Sequence, residues 1–267
     1  MKFFDSHCHF DFAEFDKDRD EVWQQTLAAE VGGLIIPGVD PAQWYKARDL
    51  SRELNSCYFA VGIHPWWIQK IATDAKALES YAQQMAKILA EDKASAQPRC
   101  LAIGETGLDK MIDTPLEQQL ALLSWHIDRA NEFELPIIIH SVRTHNELIA
   151  HLRKHKPRYG GVIHAFNGSY ETAMQFIGMG FYLGMGGTIS YERAHKTRTT
   201  FARIPPESIL LESDAPDMPL CGHQGERNSP ANLPQIARLF AELRDEDLAT
   251  IEHVLLDNTR RLFGVPV

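Results

Sequence analysis

No stretch of this 267-residue chain approaches the run of about 18 apolar residues that spans a bilayer. The N-terminal MKFFDSHCHF has no basic region followed by a long apolar one, so no signal peptide is expected. Cysteine is scarce: Cys8, Cys57, Cys100 and Cys221 are widely spaced and none belongs to a CxxC pair. That excludes a disulfide framework and a thiolate zinc site. Basic residues are outnumbered, 27 Lys and Arg against 36 Asp and Glu, and the formal net charge of -9 argues against a broad basic surface for duplex nucleic acid. A small, locally positive site that takes a strand end is still allowed. Neither GxGxxG nor GxxxxGK[ST] follows the first apolar run, so a nucleotide-binding sheet has no support. Linkers rich in Pro, Gly or Ser are absent as well. These absences leave a soluble cytoplasmic enzyme, one domain over 1–267, a monomer with no membrane and no obligate protein partner.

What the chain does contain is a rhythm. Short apolar, β-branched runs recur at Lys2–His9, Gly33–Val39, Tyr58–His64, Cys100–Glu105, Pro136–His140, Gly161–Phe166, Phe181–Gly186 and Ser208–Asp214. Between them lie stretches with helical spacing, such as Leu116–Phe133, where Leu120, Leu123 and Ile127 recur at three and four. Glu147–His155 and Tyr170–Met179 read the same way, the latter behind Asn167, Gly168 and Ser169 as cap residues. Asp214–Asn228 reads as a long loop and Leu233–Phe263 as two closing helices. Alternating strands and helices imply βα units and a parallel sheet, and eight units are the number that closes an α/β barrel of the TIM (β/α)8 type. An open sheet of eight strands is the other solution.

Polar residues stand at the C-terminal ends of these runs: His7 and His9, His64, Glu105, His140, His164 and Asp214. In a parallel barrel those ends meet on the face that carries active sites. Ionisable groups there cost desolvation unless paired or metal-bound. Alternation along a strand puts His7 and His9 on one side and turns Cys8 toward the core. Imidazole and carboxylate without thiolate suit Zn, Mn, Fe, Ni or Mg in a site open to water. Four neutral His, Glu105 and Asp214 carry -2; two divalent cations would leave about +2, which attracts an anionic phosphodiester.

The motifs DSHCH (5–9), GIHP (62–65), GETGLD (104–109), PIIIHSVR (136–143), HAFNGS (164–169), ESDAP (212–216) and NTRRLFG (258–264) together resemble the TatD-type deoxyribonucleases of the amidohydrolase superfamily. The stretch Leu108–Pro115 looks like the TatD-like hydrolase subgroup, with Lys110-Met111 where family members often carry an aromatic pair. The resemblance implies a TIM barrel with divalent ions (Mg2+, Zn2+ or Mn2+). It implies a first ion on His7, His9 and Asp214, a second on His140 and His164, and Glu105 between them. It further implies DNA as partner, at strand ends or single-stranded, hydrolysed from a 3′ end, or a small phosphoester.

The expected mechanism is in-line attack of activated water on phosphorus with Asp214 as general base. His64 is a candidate contact to the leaving group or a phosphate, with packing beside Pro65 and Trp66 as the alternative. Arg143 is a candidate phosphate clamp. Asp109 and Glu212 read as residues that hold ligands, and Trp66 and Trp67 as a stacking wall or a loop anchor. His151 and His155, flanked by Arg153, Lys154 and Lys156, read as a solvated basic face. The competing function is hydrolysis of a small amide or lactone, or a deamination, on the same scaffold.

Overall fold

The structure is a computed structural model that describes residues 2–265. Eight strands form in chain order: β1 (Phe3–Asp5), β2 (Val31–Ile36), β3 (Cys57–Val61), β4 (Cys100–Asp109), β5 (Ile137–Val142), β6 (Gly161–Ile163), β7 (Phe181–Met185) and β8 (Ile209–Leu211). They belong to one sheet in the order β1 to β8. The principal helices are α1 (Arg19–Ala28), α2 (Trp44–Glu53), α3 (Ala75–Lys93), α4 (Leu116–Phe133), α5 (His145–Leu152), α6 (Tyr170–Gly178), α7 (His195–Arg203), α8 (Leu233–Arg244) and α9 (Leu248–Phe263). Helices follow strands throughout, which is the α/β barrel of the TIM type. No helix among the described residues is long and apolar enough to cross a membrane.

The chain divides into two compact units, 1–36 with 162–267, and 37–161. In the first, β1 pairs in parallel with β2, and β7 with β8. The chain after β1 also bonds to the chain after β8. Ser6 N–H donates to Leu211 O (3.0 Å), Asp214 N–H to His7 O (2.9 Å) and His9 N–H to Ala215 O (2.8 Å). Leu34, Ile35 and Ile36 are all buried, the pattern of a strand covered on both faces. Asn258, on α9, donates to the carbonyls of Pro206 (2.7 Å) and Ile209 (2.8 Å) and so holds the entry to β8.

In the second unit, β4 lies between β3 and β5. Asp92, on α3, accepts from the amides of Arg99 and Cys100 at 2.8 Å each, which fixes where β4 begins. On α4, Leu123 and Ile127 are buried as the spacing predicted, Leu120 is half-buried, and Leu122 and Ala130 complete the buried stripe. Helix α6 starts where predicted, with Ser169 Oγ accepting from Thr172 N–H at 3.3 Å.

Several strand boundaries differ from the sequence reading, and β3 and β6 end before His64 and His164. β1 and β8 are short, so His7, His9 and Asp214 sit in the segments just beyond them. β4 is longer: the register to β5 shifts between Ile103 and Thr106, and pairing resumes through Asp109. Glu105 is therefore inside a strand at an irregularity, the kind of bulge that re-aims a side chain. Gly107 follows it with φ of 148°, and a Cβ there would meet His140 O at 2.0 Å. Replacing Gly107 by Ala should cost at least about 2 kcal/mol in urea unfolding, from backbone strain plus the clash. An unchanged midpoint would show that the β4–β5 approach is looser than described.

Candidate metal centre

The first unit gathers His7, His9, His164, Glu212 and Asp214. His7 Nε2 lies 3.4 Å from His9 Nε2. Asp214 Oδ1 lies 3.4 Å from the first and 3.7 Å from the second. Donors bound at about 2.1 Å around one tetrahedral ion lie about 3.4 Å apart. The three atoms thus have the spacing of a ligand face, and the residue types are those of a borderline or hard divalent cation. His164 stacks flat on His7, centroids 4.0 Å apart and planes 8° apart, a contact suited to neutral rings. His7, His164 and Glu212 also form a group close enough to hold an ion.

Asp5 arranges this set. Its Oδ2 accepts from Ser213 Oγ at 2.6 Å, and its Oδ1 from Ser213 N–H at 2.9 Å and His7 N–H at 3.2 Å. One buried carboxylate thereby ties the segment bearing His7 to the segment bearing Asp214. Burial pushes Asp5 up to about 7, against the lowering effect of those hydrogen bonds. Asn228 adds a second tie by donating to Ser213 O (2.8 Å) and Met218 O (3.2 Å). Arg19 holds the other flank, donating to the carbonyls of Phe10 (2.9 Å) and Phe12 (3.1 Å). Glu212 accepts from Ala165 N–H at 2.6 Å and faces His164 Nδ1 at 3.8 Å. It therefore positions His164 mainly through the neighbouring backbone. Burial pushes Glu212 up to about 8, His164 draws it down and the Asp214 charge adds to the rise. Its carboxylate fills the space over Gly184, where a Cβ would lie 2.2 Å from Oε2.

The second unit gathers His64, Glu105, Asp109 and His140, all buried. Glu105 Oε1 faces His140 Nδ1 at 3.0 Å and His64 Nε2 at 3.3 Å. His64 Nδ1 accepts from Trp66 N–H at 3.1 Å, so the neutral ring carries its proton on Nε2. That aims the Nε2–H of His64 at Glu105 Oε1, and His64, Glu105 and His140 also form a group close enough to hold an ion. His140 Nε2 faces Asp109 Oδ2 at 3.1 Å. Burial pushes Asp109 up, but bonds from His140, Trp66 and Met111 more than offset it and leave the carboxyl at about 2. An ionised Asp109 fixes the proton of His140 on Nε2 and leaves the lone pair of Nδ1 on the Glu105 side, where it would suit a cation.

His126 was given no role from sequence, although it stands on the buried α4 stripe. Its Nε2 accepts from Ile63 N–H at 2.9 Å. Its Nδ1 faces Leu122 O at 2.8 Å and Thr106 Oγ1 at 3.0 Å. It thus joins the residue before His64 to the residue after Glu105. The solvated-face reading of the 151/155 pair holds for exposed His155, whereas His151 packs against α4 through Ser124 Oγ at 3.0 Å. Arg143 is exposed just past β5 with φ of 56°.

The TatD-related DNase family model matches residues 4–264. The chain belongs to that family. It is 39% identical over 266 residues to the metal-dependent hydrolase YjjV of Escherichia coli K12, covering 99% of each chain. The crystal structure of the same E. coli protein superposes with a TM-score of 0.92 at 38% identity, again over 99% of each chain. A Shigella flexneri protein named 3′-5′ ssDNA/RNA exonuclease TatD is 31% identical over 271 residues, covering 98% of this chain and 99% of that one. As a TatD-family protein the chain is a metal-dependent hydrolase, and the donor sets above fit that requirement on their own chemistry.

The residues expected from sequence as ligands lie in these two clusters, whereas His64 and Glu212, which join candidate ion-holding groups, were not expected as ligands, and Asp5, Ser213, Asn228, Arg19 and His126 were given no role. Only Asp5 and His126 carried a usable signal, as a buried acid in DSHCH and a polar residue on an apolar stripe. His126 also predicts a pH dependence. Burial pushes it down to about 4, so below the ordinary histidine pKa the unfolded chain takes a proton that the native one refuses. Relative to His126→Gln, the wild type should hold a constant margin above about pH 6.5 and lose roughly 3 kcal/mol of it by pH 4. A margin independent of pH in chemical unfolding would refute a neutral buried His126.

Proposed function

We propose that this chain is a two-metal phosphodiesterase, working as a monomeric cytoplasmic domain over 1–267 on DNA strand ends or single strands, from the 3′ side. His7, His9 and Asp214 would hold one divalent ion and His140 and His164 a second, with Glu105 shared. Mg2+, Zn2+ and Mn2+ all suit this set. The observation that carries the reading is the convergence of His7 Nε2, His9 Nε2 and Asp214 Oδ1 at 3.4–3.7 Å. The S. flexneri relative supports the choice of substrate. So does the net charge of -9, which disfavours wrapping a long duplex and allows a chain end.

When bound, the ions supply Lewis acidity to water and to the phosphoryl oxygens. Asp214 takes the proton of the attacking water at its carboxylate. Its side chain is 12% exposed against 1% for His7, so it is the donor of that pair open to water. His64, set as an Nε2–H donor by the Trp66 amide, hydrogen-bonds the leaving oxygen. Arg143 offers its planar fork to a neighbouring phosphate. Asp5 and Asp109 do no chemistry; each holds ligand-bearing backbone or ring in place.

Metal analysis should find two ions per chain after loading, and one or fewer after loading His140→Ala. Chelator-stripped protein given labelled single-stranded DNA should release nucleotides only when a divalent ion returns, and a 3′-blocked strand should resist. Asp214→Asn should lower that rate by at least about 10²-fold with the fold intact by circular dichroism. Full activity in Asp214→Asn removes it as general base; no release with any ion removes the phosphodiesterase reading.

A further inference from the structure

The exposed large apolar side chains of the described residues are Leu27, Trp66, Met111 and Tyr159. Two of them hang on one carboxylate. Trp66 Nε1–H donates to Asp109 Oδ2 at 2.7 Å, and Met111 N–H donates to Asp109 Oδ1 at 2.7 Å. The same Oδ2 faces His140 Nε2. Asp109 is itself pinned through its backbone by Gln119, whose Oε1 accepts from Asp109 N–H at 2.7 Å and whose Nε2 donates to Asp109 O at 2.9 Å. Trp66 is 52% exposed and Met111 59%, yet both are bonded to the same buried carboxylate. Leaving apolar area in water at a position this rigid is unfavourable unless something covers it.

The chemistry of the pair narrows the occupant. The one polar atom of the Trp66 indole is already used, so the ring offers a ligand only a π face. Met111 adds a soft, polarisable thioether. Neighbouring Trp67 is different: the Lys70 ammonium lies 4.7 Å over its ring. Lys110, between Asp109 and Met111, is paired with Glu147 at 2.5 Å and does not crown the platform with free charge. The Trp66 ring stands 5.3 Å from that of His64 and 6.4 Å from that of His140.

We propose that Trp66, with Met111 beside it, is the stacking platform for the nucleobase next to the scissile phosphodiester. The proposal rests on the phosphodiesterase reading above and adds to it the group recognised. A face with no free donor or acceptor reads no base edge, so all four bases stack alike. Specificity at this position is for a flat ring over none.

The test uses metal-loaded wild type, Trp66→Leu, Trp66→Phe and Trp67→Leu, on single-stranded oligonucleotides ending in each of the four bases or in an abasic nucleotide. Trp66→Leu should raise KM about tenfold on every base-bearing end, with kcat within about twofold, and leave the abasic end unchanged. Trp66→Phe should restore most of the loss, and Trp67→Leu should match wild type. Titration with oligothymidylate should quench wild-type tryptophan fluorescence, and Trp66→Leu should lose that quench. Wild-type behaviour of Trp66→Leu on base-bearing ends overturns the proposal, as does an equal loss on the abasic end. If wild type cleaves neither substrate, the phosphodiesterase reading fails instead. The quench then still decides the platform: kept in Trp66→Leu, it overturns it; lost, it upholds it.

Discussion

A buried carboxylate outside the candidate ion-holding groups organises each half of this molecule. In the first unit Asp5 accepts the Ser213 hydroxyl, the Ser213 amide and the His7 amide, so the segments after β1 and β8 cannot drift apart without stranding it. In the second, Asp109 takes His140, Trp66 and the Met111 amide. Breaking either leaves a desolvated acid with donors removed, one of the costlier defects in a protein interior. His7 and Asp214 inherit their positions from the first, and His140 from the second. The long loop after β8 adds its own tether, Arg227, which forks onto Asp18 at 2.7 and 2.6 Å and lies over Phe15.

Acidity accumulates around the first set. Asp5 and Glu212 are both pushed up by burial, and Asp214 raises each further. Such a concentration of carboxyl groups costs stability near neutral pH unless positive charge enters it. A divalent cation bound there would supply that charge and would couple binding to folding in the usual manner of metalloproteins. The same field would favour an ion with little preference for thiolate.

The alternation of apolar runs and amphipathic stretches carried the barrel, the α4 stripe and the Ser169 cap, because periodicity and capping are local properties. His7, His9, His140, His164, Glu105 and Asp214 stood out because ionisable residues closing apolar runs violate the pattern. The extent of β4 did not show, since it depends on pairing with β5 past a register shift. Asn228 and Arg19 did not show either. Their work is to bond carbonyls far away in sequence or across a loop, and an Asn in a polar loop or an Arg opening a helix looks ordinary. The orientation of His64 was likewise invisible, for it is decided by one backbone amide.

Three residues that leave strands on the site side, Arg143, Ala165 and Asp214, have φ between 45° and 56°. Left-handed backbone favours Gly, Asn and Asp and penalises β-branched side chains. The substitutions that position 214 accepts most cheaply are thus the ones that erase its charge while keeping its shape. With Asp214 in its proposed role, a descendant of this chain would fall catalytically silent by a single isosteric change and still superpose on its active relatives, so among such proteins likeness of backbone is a poor witness to turnover.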